Sequence, residues 1–141
     1  MSLSLWSLLG FAVWTQLLMV ATIGVPRLLA IGQGRAAPSA FLADQVHGSE
    51  RYRRSMRAHL NCVENLPVFA TLVVVGALLG VADDGAFQWL ALAVLPARVS
   101  QSVCHVLSGS NRAVMLRFCF YVIQLSSFFL LAGLLIAQGL K

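Results

Sequence analysis

The stretch RAHLNCVENLPVF, residues 57–69, sets Arg57, His59, Asn61 and Glu64 into a run that is otherwise apolar. Ionisable groups at membrane depth are costly, and they face a bundle interior or a water-filled cavity. One stretch therefore points to a long helix in lipid and to a polar site carried on it. Composition supports the lipid half of that reading, because hydrophobic residues make up 59% of the 141 residues and charged residues only 11%. At roughly 20 residues per spanning helix, this length has room for about four spans with short connections. No separate soluble domain fits, so residues 1–141 read as a single all-α, four-helix transmembrane domain. Transmembrane β-strands do not suit apolar runs that are long and continuous rather than alternating.

Outward from residues 57–69, breakers delimit the four segments. The second helix begins near Ser49 or Arg51 and continues to about Val81, where Asp83, Asp84 and Gly85 form a tight turn. The first runs from about Leu3 to Ile31, bent by Pro26 and ended by Gly32, Gly34 and Pro38. Met1 to Val20 lacks the basic start of a cleaved signal peptide, so this run is expected to stay as a helix. Asp84 is placed to cap the third helix, which bends at Pro96 and ends near Leu107 at the turn Ser108, Gly109, Ser110, Asn111. The fourth runs from Arg112 to about Ala137.

The net charge of +5 is distributed unevenly. Arg27, Arg35, Arg51, Arg53, Arg54 and Arg57 border the first connection, and Arg98, Arg112 and Arg117 flank the third. The second connection carries Asp83 and Asp84, and the remaining basic residue is Lys141. By the positive-inside rule the first and third connections are cytoplasmic and both termini lie on the opposite side. The arginines also suit anionic headgroups of membrane lipids or a soluble anion. No basic segment is long enough, or interleaved with aromatics, to suggest nucleic acid binding.

Cys62, Cys104 and Cys119 are odd in number and unpaired by spacing, and read as reduced packing residues. His47, His59 and His105 fall on separate segments without ligand spacing, so no metal site is expected. Walker, GxGxxG and GxSxG motifs are absent from the sequence.

Two further stripes join the first. Arg57, Asn61 and Glu64 stand at i, i+4 and i+7 on the second helix, which lines them up on one face. Arg98, Gln101 and His105 stand at i, i+3 and i+7 on the third, and Arg117, Tyr121 and Gln124 at i, i+4 and i+7 on the fourth. Each stripe has a plainer reading. Arg57 and Arg117 could snorkel to headgroups, Asn61 and Glu64 could join helices, Tyr121 could be an interfacial belt residue, and His105 could be satisfied packing. Three same-face stripes at matching depth favour a shared polar recess open to the cytosol, basic except for Glu64. Arginines suit carboxylates, Glu64 suits an ammonium, and Asn61 and Gln101 suit amides. That mix fits a small zwitterionic, net-anionic peptide such as glutathione.

RAHLNCVENLPVF resembles the signature of the MAPEG family, the membrane-associated proteins of eicosanoid and glutathione metabolism, and the likeness in layout covers nearly the whole chain. The resemblance implies a homotrimer holding glutathione between neighbouring subunits near the cytoplasmic face. It implies that Arg57, His59, Asn61, Glu64, Arg98, Gln101 and His105 bind glutathione, and that Arg117 activates the thiol with Tyr121 one turn on. Either Arg27 or Arg35 would be the arginine contributed by the first helix. Asn65 and His105 stand where some relatives have Tyr. No metal or organic cofactor is implied beyond glutathione or a related thiol as co-substrate.

The activity implied is that of a membrane glutathione transferase or peroxidase, acting on a hydrophobic electrophile or lipid that enters from the bilayer. The alternative is a non-catalytic lipid- or small-molecule-binding protein on the same fold. A small exporter of cationic drugs would need an acid in its first helix, where this sequence has Thr15, Gln16 and Thr22 and no carboxylate.

Overall fold

The computed structural model describes residues 1–41 and 48–140, so His47, Lys141 and the middle of the first connection lie outside the described residues. Among the described residues, five α-helices make up four spans. The first span combines α1 (Leu3–Met19), a π-helical turn (Val20–Gly24) and α2 (Val25–Gly32), and a short 3-10 turn follows at Pro38–Ala40. The other three are α3 (Glu50–Leu78), α4 (Gly85–Leu107) and α5 (Asn111–Gly139). All four are long and apolar enough to cross a membrane, and no strand occurs among the described residues.

Local chemistry accounts for the boundaries. Ser2, Ser49 and Ser110 precede α1, α3 and α5 in extended conformation, and their hydroxyls accept from the N–H groups of Leu5, Tyr52 and Ala113. Those bonds satisfy donors that the helix itself leaves free. Asp84 occupies the same position before α4, but its side chain makes no capping bond, which corrects the expectation that it caps this helix. Pro26 does not simply bend the first helix. Proline lacks an N–H and crowds the carbonyl four residues earlier, and the chain widens just before it, with Val25 N–H bonding to Val20 O. Such single π-turns let a helix continue past an obstruction. By contrast, α3 and α4 run uninterrupted through Pro67 and Pro96.

α3 stops earlier than the aspartates suggest. Gly80 takes φ +73°, Gly80 N–H bonds to Ala77 O and Val81 N–H to Gly76 O, a glycine-terminated Schellman end. The turn that follows is tied to α1 by Ser4 Oγ, which donates to Ala82 O at 2.7 Å.

α4 is the central helix, touching α1, α3 and α5 and carrying the largest buried share of any span. Phe69 of α3 joins Phe11 of α1 and Phe128 of α5, with ring centroids 5.8 and 5.9 Å apart. Contact between α3 and α4 depends on Gly76, where a Cβ would fall 2.4 Å from Phe87 Cζ. Ser7 Oγ donates to Ala91 O across α1 and α4 at 2.8 Å. Most other serine and threonine hydroxyls within the helices bond back to their own helix, as Thr15 does to Phe11 O and Ser127 to Ile123 O, which satisfies them without water. The outer faces are apolar, and Leu78, Trp89 and Phe129 are each more than two-thirds exposed. A skin of this kind suits lipid and not water.

Candidate functional site

α3, α4 and α5 enclose a recess of about 450 Å³. Asn61, Glu64 and Asn65 line it from α3, Arg98, Gln101 and His105 from α4, and Val114, Arg117, Phe118 and Tyr121 from α5. Its walls are the start of α5, the end of α4 and the first half of α3, so it lies toward the end of the bundle that carries the first and third connections. Arg54 fastens that end, donating from Nε to Val106 O at 3.5 Å across α3 and α4.

The three stripes therefore converge, except that Arg57, His59 and Gln124 are not in the lining. Arg57 is exposed and does not line the recess, and His59 does not reach it either. Two residues round a helix of 3.6 per turn is about 200°, which carries His59 off the line of Asn61 and Glu64. His59 shares its side of α3 with Ser55, which lines a separate recess against Ala21, Thr22 and Pro26 of the first span. Its Nδ1 is enclosed and without a partner. Arg27 of the first span and Arg35 just beyond it are engaged elsewhere. Arg27 Nε donates to the Tyr52 hydroxyl at 2.5 Å, with its guanidinium over the Phe41 and Tyr52 rings. Arg35 bonds the side chain of Gln33.

Arg98 dominates the electrostatics. It is 1% exposed, yet Nε and Nη2 have no hydrogen-bond partner, and its guanidinium carbon sits 5.4 Å from the centre of the Phe11 ring. Cys62, Tyr121 and Glu64 lie within electrostatic range of it, but no carboxylate among the described residues forms an ion pair with it. Leaving a buried guanidinium unpaired costs several kcal/mol. Ser102 holds the Arg98 turn by donating to Arg98 O at 2.8 Å, with the buried Cys62 sulfur 3.5 Å from the same hydroxyl. Cys62 is thus a packed thiol, whereas Cys119 is exposed, so packing within the chain explains the first and not the second.

From the sequence, Asn65 is singled out only as a departure from relatives, and Val114 and Phe118 of the wall are not singled out. Asn65 lines the recess and donates from Nδ2 to Asn61 O at 2.7 Å. Val114 and Phe118 line it at i and i+4, with Tyr121 at i+7, the spacing of the polar stripes, but apolar residues at that spacing look the same as a lipid-facing strip. Beneath them Gln124 donates to Gln101 Oε1 at 3.0 Å. Among the described residues, no group of three His, Cys, Asp or Glu side chains gathers as metal ligands would.

The recess thus joins unpartnered guanidinium donors, one carboxylate and an apolar wall inside a four-helix membrane bundle. The profile of the MAPEG family matches residues 4–137. The chain belongs to the MAPEG family. No individual curated protein matches it. As a MAPEG protein with four membrane-capable helices it is an integral, multi-pass membrane protein. At family level its role lies in glutathione and eicosanoid chemistry.

Proposed function

We propose that this MAPEG protein is a membrane glutathione transferase or glutathione-dependent peroxidase acting on lipophilic electrophiles, with residues 1–141 forming one domain. The observation that carries the reading is the buried Arg98 guanidinium at the recess, whose Nε and Nη2 lack acceptors and which no carboxylate among the described residues pairs. A ligand carboxylate would supply the missing acceptors and the missing charge. A recess of about 450 Å³ lies within the range of roughly 300–1,000 Å³ typical of small-molecule sites. Glu64 would receive the peptide's ammonium, and Asn61, Gln101 and His105 its amides and remaining oxygens.

Arg117 and Tyr121 face this polar set from α5 and are the catalytic residues of the proposal. A free thiol ionises near pKa 8.5 and is mostly protonated at neutral pH, with each unit of lowering equal to about 1.36 kcal/mol. A guanidinium beside the sulfur favours the thiolate, and the Tyr121 hydroxyl adds a weaker donor. The thiolate then attacks an electrophilic carbon, whose leaving group departs with the bond's electron pair. With a peroxide it attacks oxygen, releasing an alcohol once a proton is taken up. A second glutathione then converts the sulfenic acid to disulfide and water. Val114 and Phe118 give the acceptor an apolar approach from the bilayer.

Arg57 and His59 lie outside the recess of their own chain, Arg57 exposed and His59 half-buried. They remain candidates for binding across the subunit boundary of a homotrimer, with Arg27 or Arg35 as the first-span arginine. Mass measurement in mild detergent is expected to give three chains per particle, and a monomer carrying full activity would remove that part. Clustering of arginines around the first and third connections supports a recess open to the cytoplasm with both termini opposite.

The apolar wall also suits a second reading, a non-catalytic protein that holds a lipid or other small molecule. Purified protein is expected to accelerate reaction of glutathione with a chlorodinitrobenzene-type electrophile. Arg117→Ala should lower kcat by roughly 10²–10³ while sparing glutathione binding, the size of effect seen when a transition-state donor is lost. Bound glutathione with no turnover of any electrophile or peroxide would favour the second reading.

A further inference from the structure

Gln124 lies on α5 below the recess, 1% exposed, and nothing in the proposed chemistry uses it. Both hydrogens of its carboxamide are engaged. Nε2 donates to Phe120 O, one turn back on its own helix, at 3.2 Å and to Gln101 Oε1 on α4 at 3.0 Å. The first bond fixes which way the amide faces, because a backbone carbonyl accepts and never donates. Nitrogen must therefore be the atom between Phe120 and Gln101. That choice dictates the orientation of Gln101. Meeting an N–H, Gln101 has to offer its oxygen, and its own NH₂ group, which has no partner among the described residues, is left to the recess it lines.

Gln101 is three residues from Arg98, on the same face of α4. Arg98 Nε and Nη2 are themselves without acceptors. We propose that Gln124 is a positioning residue, which holds Gln101 by its oxygen, turns the Gln101 N–H donors into the recess and so selects a carboxylate over a neutral amide at that place. The inference rests on the reading that the recess takes glutathione. An ionised carboxylate only accepts, through two oxygens, and matches a floor made of donors. An amide there sets its own NH₂ against them and leaves buried donors unpaired, which is how a polar site rejects the wrong ligand. Without Gln124 the Gln101 amide is free to turn over and present its carbonyl, and the discrimination goes with it.

Calorimetric titration of the full-length protein in detergent tests this with glutathione and its two monoamides, one for each carboxylate. Wild type is expected to disfavour one monoamide. Gln124→Met should weaken glutathione binding roughly tenfold, leave the disfavoured monoamide where it was, and so abolish the discrimination. If Gln124→Met loses the fold, Gln124→Leu takes its place. In a Gln101→Met background the Gln124 substitution should have no further effect on affinity, whereas a role in packing alone would add to it. Wild-type affinity and discrimination in Gln124→Met, or additive losses in the double variant, would overturn the inference while leaving the proposed function standing. Absence of glutathione binding by wild type would overturn both.

Discussion

Arg98 and Glu64 show how far single residues can be read from the order of amino acids. A charge in an apolar helix stands out against its neighbours, so Arg98, Glu64, Arg117 and the polar residues at helical spacing from them were legible before any fold was known. Val114 and Phe118 were not, because nothing in an apolar residue says whether it meets lipid, core or ligand. His59 sits in the most informative stretch of the sequence yet faces away from the recess, since proximity along a helix is not proximity on its surface. Gln124 carried a signal by spacing, but its bond to Gln101 depends on the register of α5 against α4, which no local pattern encodes. At this scale Glu64→Gln is expected to weaken glutathione binding roughly fivefold if the carboxylate meets the ammonium at a partly exposed site. Unchanged affinity in the same titration would return Glu64 to a helix-joining role.

Elements were legible to within a few residues wherever a serine or a turn sequence marks them. The start expected near Ser49 or Arg51 is marked by the Ser49 hydroxyl cap, and the turn expected before Arg112 contains Ser110, whose hydroxyl caps α5. The departures have definite causes: α3 ends at a left-handed Gly80 rather than at the aspartates, and Pro26 is absorbed by a π-turn rather than by a bend alone. Both involve backbone geometry that several residue patterns could satisfy. Close approach of α3 to α4 at Gly76 was invisible, because a glycine in a membrane helix looks like any small residue until Phe87 is found against it. Gly76→Leu should overpack that contact and destabilise the bundle by about 1–3 kcal/mol, read as a lower thermal midpoint in detergent. An unchanged midpoint would show that the Phe87 ring moves aside freely.

For the whole molecule, four apolar helices with an apolar skin follow from composition, length and the placing of breakers, and the fold class was therefore plain from the sequence. Convergence of three faces on one recess was an expectation of geometry, and the packing of α4 between α3 and α5 brings most of the polar residues together. Association between copies leaves no comparable mark on a single chain, because a lipid-facing strip and a subunit interface are both apolar. Function at this scale turns on whether the unpaired guanidinium of Arg98 waits for an anion. An equilibrium titration of glutathione into the wild type and Arg98→Met, in the same detergent, addresses that most directly. Saturable binding by wild type, weakened roughly tenfold or more in Arg98→Met, is the expected result for a charge-assisted contact. No saturable binding by wild type, or undiminished binding by Arg98→Met, would contradict an anion site built on this residue.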